Sequence, residues 1–114
     1  MSLRNDSNSR YIQTFSEIEK ELSELENHND RSAGKGTNPR KRWEVNFLNM
    51  MEKYAFLMRS KRYPEDLLDI FKKDFGYARH LIGEKASRKE GYYQILKLCD
   101  EKQWPAYNAD IKDE

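Results

Sequence analysis

Along most of this chain, apolar residues recur three or four positions apart between charged ones, and only one segment departs from that spacing. Residues 43–58, Trp-Glu-Val-Asn-Phe-Leu-Asn-Met-Met-Glu-Lys-Tyr-Ala-Phe-Leu-Met, are apolar around more than half of a helical circumference. A helix of that kind must be surrounded by others, so the segment reads as the hub of a small bundle. Asn38-Pro39 offers an N-cap followed by proline at the first helical position. The pattern therefore predicts a helix over 39–60, with Asn46, Asn49, Lys53 and Ser60 as its polar stripe. Upstream, Tyr11, Phe15, Ile18, Leu22 and Leu25 recur at 4-3-4-3 spacing and predict a helix over 11–27 with a narrow apolar seam. Downstream, Tyr63-Pro64-Glu65-Asp66 opens a helix over 64–82. One half of its wheel holds Leu67, Leu68, Ile70, Phe71, Phe75, Tyr77, Ala78, Leu81 and Ile82, and Gly83 is its stop. Ser87-Arg88-Lys89-Glu90 has the form of a capping box and predicts a last helix over 88–104, carrying Tyr92, Ile95, Leu96, Cys99 and Gln103 and ending before Pro105.

These elements define an all-α class, a small bundle of about four helices (11–27, 39–60, 64–82, 88–104), with no alternating Val/Ile/Thr run to suggest sheet. Around them, residues 1–10 read as a disordered N-terminus, 28–38 as a mobile glycine-containing loop inside a single domain over 11–104, and 105–114 as a polar tail. Length supports one core and not two. With 37% apolar and 36% charged residues, each helix can bury only a stripe, and the 12% of aromatic residues must supply much of the buried area. Gly76 falls on the polar half of its helix, costing about 1 kcal/mol relative to alanine.

Net charge adds little, since 21 basic residues against 20 acidic ones leave +1 and no general attraction to nucleic acid or an anionic membrane. Distribution is more telling. Residues 11–27 carry five Glu and one Lys, whereas residues 31–62 carry nine Lys/Arg and two Glu. The two stretches should attract, within one chain or between chains, while Glu19, Glu21 and Glu26 oppose self-pairing of the first helix. Self-association as a helix-swapped dimer through the 28–38 loop is one expected form. A lone cysteine, Cys99, and no apolar signal segment point to a reducing, cytoplasmic setting. No apolar run reaches the ~18 residues of a membrane span. The opening Met1-Ser2-Leu3 reads as an artificial start, which leaves room for an upstream segment in the natural protein.

Candidate chemistry is sparse. Gly34-Lys35-Gly36-Thr37 lacks the spacing and the preceding strand of a phosphate loop. No Glu-x-x-His pair suggests a metal, and no motif asks for a cofactor; His28 and His80 are both expected in solvent. Small helical ribonucleases of toxin systems place an Arg four to six residues before a His, a pattern His80 does not meet. Cys99 sits at the centre of an apolar face as a small hydrophobe. Asp74 is the anomaly, because it falls within an apolar arc beside Ile70, Phe71, Ala78 and Leu81, where a charge needs a partner or a cleft. Glu52, near Val45, Leu48 and Phe56, is a milder case, and a hydrolase would draw on these two acids. Arg40-Lys41-Arg42 beside Trp43, and Arg59, Lys61 and Arg62 beside Tyr63, combine cations with aromatic rings as single-stranded nucleic acid requires. The simpler role for both clusters is to face the acidic first helix.

The stretch Asn46-Phe47-Leu48-Asn49-Met50-Met51-Glu52-Lys53, followed by an aromatic-rich turn and a further amphipathic helix, resembles an uncharacterised family of prokaryotic helical domains. A Phe-Leu-Asn-x-x-Glu-like run marks the central helix of that family, and the likeness covers about residues 43–82. The resemblance implies a helical domain, often membrane-anchored by an N-terminal span that this sequence lacks, and no activity. The function expected is a non-enzymatic interaction or scaffold module, with ligand or partner candidates Asn49, Glu52, Asp74, Arg40, Lys41, Arg42, Trp43, Arg59, Lys61 and Arg62. A nucleic-acid-binding accessory protein using 40–43 and 59–63 is the alternative.

Overall fold

The computed structural model describes residues 3–26, 33–34, 36–61 and 63–109, without the side chains of residues 3–10, 26 and 67. The chain is all-α: α1 (Leu3–Glu26), α2 (Asn38–Lys61), α3 (Glu65–Asp69), α4 (Lys72–Ile82), α5 (Ala86–Gly91) and α6 (Tyr93–Lys102). Two compact units, Met1–Trp43 and Glu44–Glu114, divide it within α2.

In the first unit α1 starts at Leu3 and not at residue 11. Residues 3–10 contain neither Pro nor Gly, and extending an existing helix is far easier than nucleating one. Ile18 is fully buried while Ile12 is exposed. The Trp43 indole N–H donates to the Leu25 carbonyl at 2.9 Å, satisfying one of the acceptors that the last turn of α1 leaves open. At the start of α2 the cap is Thr37, not Asn38. The Thr37 Oγ1 accepts from the Arg40 N–H at 3.4 Å, and the Thr37 carbonyl takes the first helical bond, from the Lys41 N–H at 3.0 Å. Of the loop expected to be mobile over 28–38, residues 28–32 and 35 lie outside the described residues, as do residues 110–114 of the expected tail.

In the second unit α2 is the hub, burying Phe47, Leu48, Met50, Met51, Tyr54, Ala55 and Met58. Phe47 meets Tyr77 of α4 with ring centroids 5.5 Å apart. Both later helices expected from the sequence are broken. The helix expected over 64–82 stops at Asp69 and restarts at Lys72, which turns Ile70 out to 53% exposure. Phe71 and Phe75 are buried on the restarted face. The break also resolves Asp74, which becomes the third residue of α4. There the positive end of the helix dipole favours a carboxylate, and the side chain is half-buried and engaged in an interaction.

The helix expected over 88–104 is broken at Tyr92 (φ −121°, ψ 45°), and no capping box forms. α5 begins at Ala86 after an extended Lys85, so Ser87 already lies inside the helix. Beyond α6, Gln103 adopts a left-handed conformation (φ 60°) and turns the chain back. Trp104 is buried against Phe75, with centroids 5.9 Å apart, and the Tyr107 N–H donates to the Gly76 carbonyl at 3.0 Å. Gly76 is therefore buried and not on a polar half. A Cβ there would stand 2.8 Å from the Pro105 carbonyl oxygen and 3.1 Å from Tyr107 Cβ, so glycine is what allows the returning strap to lie against α4.

Candidate functional site

Asn49, Glu52, Phe56 and Arg59 share one side of α2 because residues three, four and seven apart stack along a helix face. Three of these four reach the α5–α6 corner. Glu52 Oε2 accepts the Gln94 N–H and Oε1 accepts the Ile95 N–H, each at 3.0 Å. These are two of the four amides that a helix start leaves without partners, so α2 provides the N-terminal cap that α6 lacks in its own sequence. The cap also explains why the chain breaks at Tyr92. A continuous helix would use those N–H groups internally.

Arg59 grips Glu101 in a bidentate pair, Nε to Oε1 at 3.1 Å and Nη2 to Oε2 at 3.0 Å, and Nη1 donates to the Gln94 side chain. That pair raises the Arg59 pKa and lowers that of Glu101. The Tyr92 hydroxyl donates to Asn49 Oδ1 at 3.0 Å, and burial is the main cause that pushes its pKa up. Near the start of the second unit, Arg88 pairs with Glu44 at 3.0 Å and also donates to the Leu81 carbonyl at 2.7 Å. Both side chains of that pair are only 13% exposed.

The sequence candidates thus fall into distinct places. Glu52, Asn49 and Arg59 come together as a bracket between α2 and α6. Arg40, expected to face the acidic first helix or to serve a nucleic acid, is 4% exposed, with its guanidinium 5.2 Å from the ring centroid of Trp43, which is itself 2% exposed. Burial removes that ring as a base-stacking surface, a role the sequence had allowed it. Lys41, Arg42 and Lys61 are exposed, and Arg62 lies outside the described residues. Cys99 is buried, its Sγ donating to the Phe75 carbonyl at 3.6 Å, and burial pushes the thiol pKa up to about 11. His80 is half-buried and stacked on Tyr77, not fully in solvent as expected, and His28 lies outside the described residues. Among the described residues no three of His, Cys, Asp and Glu gather as a metal site would require.

Above the bracket stand large apolar residues in water. Val45 is 40% exposed, Phe56 53% and Tyr93 50%, the last with the Lys97 ammonium 5.4 Å from its ring centroid. Val45, Asn49, Glu52, Phe56 and Arg59 follow 4-3-4-3 spacing, so a second seam runs along the solvent side of the hub helix. Sequence reasoning placed Asn49 on that side but read Val45 and Phe56 as core, because a helix apolar nearly all round does not declare which arc stays open. Arg88 was missed as a buried anchor because its place in Ser-Arg-Lys-Glu looked like capping. Compared with known proteins, the chain matches no family model, no curated protein and no solved structure.

Proposed function

We propose that this protein is a non-enzymatic helical interaction module whose partner docks on the outward seam of α2 beside Tyr93. The observation that carries this reading is the exposure of Val45, Phe56 and Tyr93 in a chain whose mean hydropathy is −1.08. Scattered exposed apolar residues are ordinary, but here they follow a three-turn ridge fixed at its base by Glu52, Arg59 and Asn49. A rigid ridge loses little side-chain freedom on binding, which favours affinity. The same bonds weigh against a hydrolase built on Glu52, since both carboxylate oxygens already accept backbone amides. Nucleic-acid binding loses its aromatic component at Trp43 for the reason given above.

The single buried thiol fits a reducing, cytoplasmic setting. No described helix is long and apolar enough to cross a membrane.

The test is quantitative co-purification from the native cell, comparing wild type with the double variant Phe56→Ser, Tyr93→Ser and with Lys85→Ser as a surface control. One stoichiometric partner should be retained by wild type and Lys85→Ser and reduced about tenfold or more in the double variant, as loss of central apolar anchors does. Equal recovery by the double variant would remove the seam from the docking surface. Single-stranded RNA binding that falls steeply with salt would favour the nucleic-acid alternative.

A further inference from the structure

A solvent-open cavity of about 410 Å³ lies within the second unit and shares no lining residue with the outward seam of α2. Arg79 and His80 come from the last turn of α4, Gly83 and Glu84 from the turn after it, Lys89 from α5, Leu96 and Asp100 from α6, and Ala106 from the returning strap. Its volume is in the range of small-molecule sites. Four of the lining residues form two ion pairs, Arg79 with Asp100 at 3.1 Å and Lys89 with Glu84 at 2.6 Å. Both signs of charge thus border one cavity, with Leu96 and Ala106 as apolar lining.

His80 supplies a further observation. Its ring is held by stacking on Tyr77 with centroids 6.3 Å apart, yet neither ring nitrogen meets a hydrogen-bond partner among the described residues. An imidazole fixed in place with both nitrogens uncommitted can offer one donor and one acceptor to an occupant. Arg79 is less free: its Nη1 donates to the Trp104 carbonyl at 2.9 Å and its Nη2 pairs with Asp100, so it ties the strap to the cavity wall. The Lys89–Glu84 pair is different. Glu84 is 93% exposed and Lys89 46%, and such a pair contributes little and opens readily to a competing ion.

From these groups we infer that the cavity binds a small zwitterion carrying one carboxylate and one ammonium group, a free amino acid being the simplest class. Lys89 and the His80 ring N–H hold the carboxylate, while Asp100 and Glu84 take the ammonium. A simple anion would meet the Asp100 and Glu84 carboxylates as well as the negative end of α4. A simple cation would meet Arg79 and Lys89. Only a ligand with both charges satisfies both walls.

Titrating the full ¹⁵N-labelled chain with L-serine, with acetate and with ethylamine, each followed by amide NMR shifts at neutral pH, tests this directly. Serine should give saturable shifts at Gly83, Glu84 and Ala106, and acetate or ethylamine should bind about tenfold more weakly or less, about one hydrogen-bonded ion pair's worth. His80→Ala and Lys89→Ala should each weaken serine binding about fivefold or more, with unchanged circular dichroism, while Lys97→Ala, outside the cavity lining, leaves it unchanged. No saturation by about 10 mM serine, or acetate binding as tightly as serine, would overturn the assignment. Neither outcome bears on docking at Phe56 and Tyr93, which is read by partner recovery.

Discussion

Replacing Glu52 tests whether α2 caps α6 from outside. Glu52→Ala removes two 3.0 Å acceptors from the Gln94 and Ile95 amides and leaves both N–H groups in a partly buried corner. Loss of an ordinary N-cap costs about 1 kcal/mol, and here two amides rather than one lose their partner. The carboxylate also faces the positive end of α6, an interaction of about 0.3–1 kcal/mol. Together these predict a destabilisation of about 2 kcal/mol, a fall in Tm of about 6–10 °C for a domain of this size. Glu52→Gln keeps the shape and one good acceptor but turns an amide donor toward an N–H, so it should fall between, near 1 kcal/mol. Thermal unfolding by circular dichroism with urea titration at constant m checks both values. A Tm within about 1 °C of wild type for Glu52→Ala would refute the external cap and return Glu52 to the list of groups available for chemistry.

Other outcomes follow from the same geometry. Gly76→Ala should destabilise by about 1–3 kcal/mol despite alanine's higher helix propensity, because the new Cβ meets the Pro105 backbone at 2.8 Å; a stability gain in urea titration would show that the strap does not lie there. Arg88→Ala should cost about 3 kcal/mol by removing both the ion pair with Glu44, whose two side chains are 13% exposed, and the bond to the Leu81 carbonyl, a loss absent from Lys85→Ala measured alongside. Asp74→Asn, at the third position of α4, should lose only about 0.5–1 kcal/mol, and a cost above 3 kcal/mol would restore it as a deeply buried pair. Cys99 should resist alkylation in the native state and react at once in denaturant. Its thiol pKa is raised by burial from 9.0 to about 11, so the folded state holds the neutral form. The associated stability is complete below about pH 9 and is lost as pH rises toward 11, which pH-dependent unfolding of Cys99→Ala against wild type will read.

Sequence pattern alone determined the class of this protein and its hub. Buried Phe47, Leu48, Met51, Tyr54, Ala55 and Met58 lie where the apolar density of 43–58 put them, and Cys99 is the small buried hydrophobe its helical face required. Periodicity is a local property, written into each helix by spacing, and so it can be read without knowing the neighbours. What failed were the places where a distant residue supplies what local sequence does not. The chain breaks at Tyr92 because Glu52, from α2, takes the amides of Gln94 and Ile95, and no feature near Tyr92 announces that. Gly76 reads as a weak point in a helix until Pro105 and Tyr107 return across it, and Asp74 reads as a misplaced charge until the restart at Lys72 puts it in a first turn. Val45 and Phe56 are apolar whether buried or not, so only tertiary packing decided which arc of α2 faces water. Caps, strap crossings and open faces are relations between segments, and those relations exist only once the chain has folded.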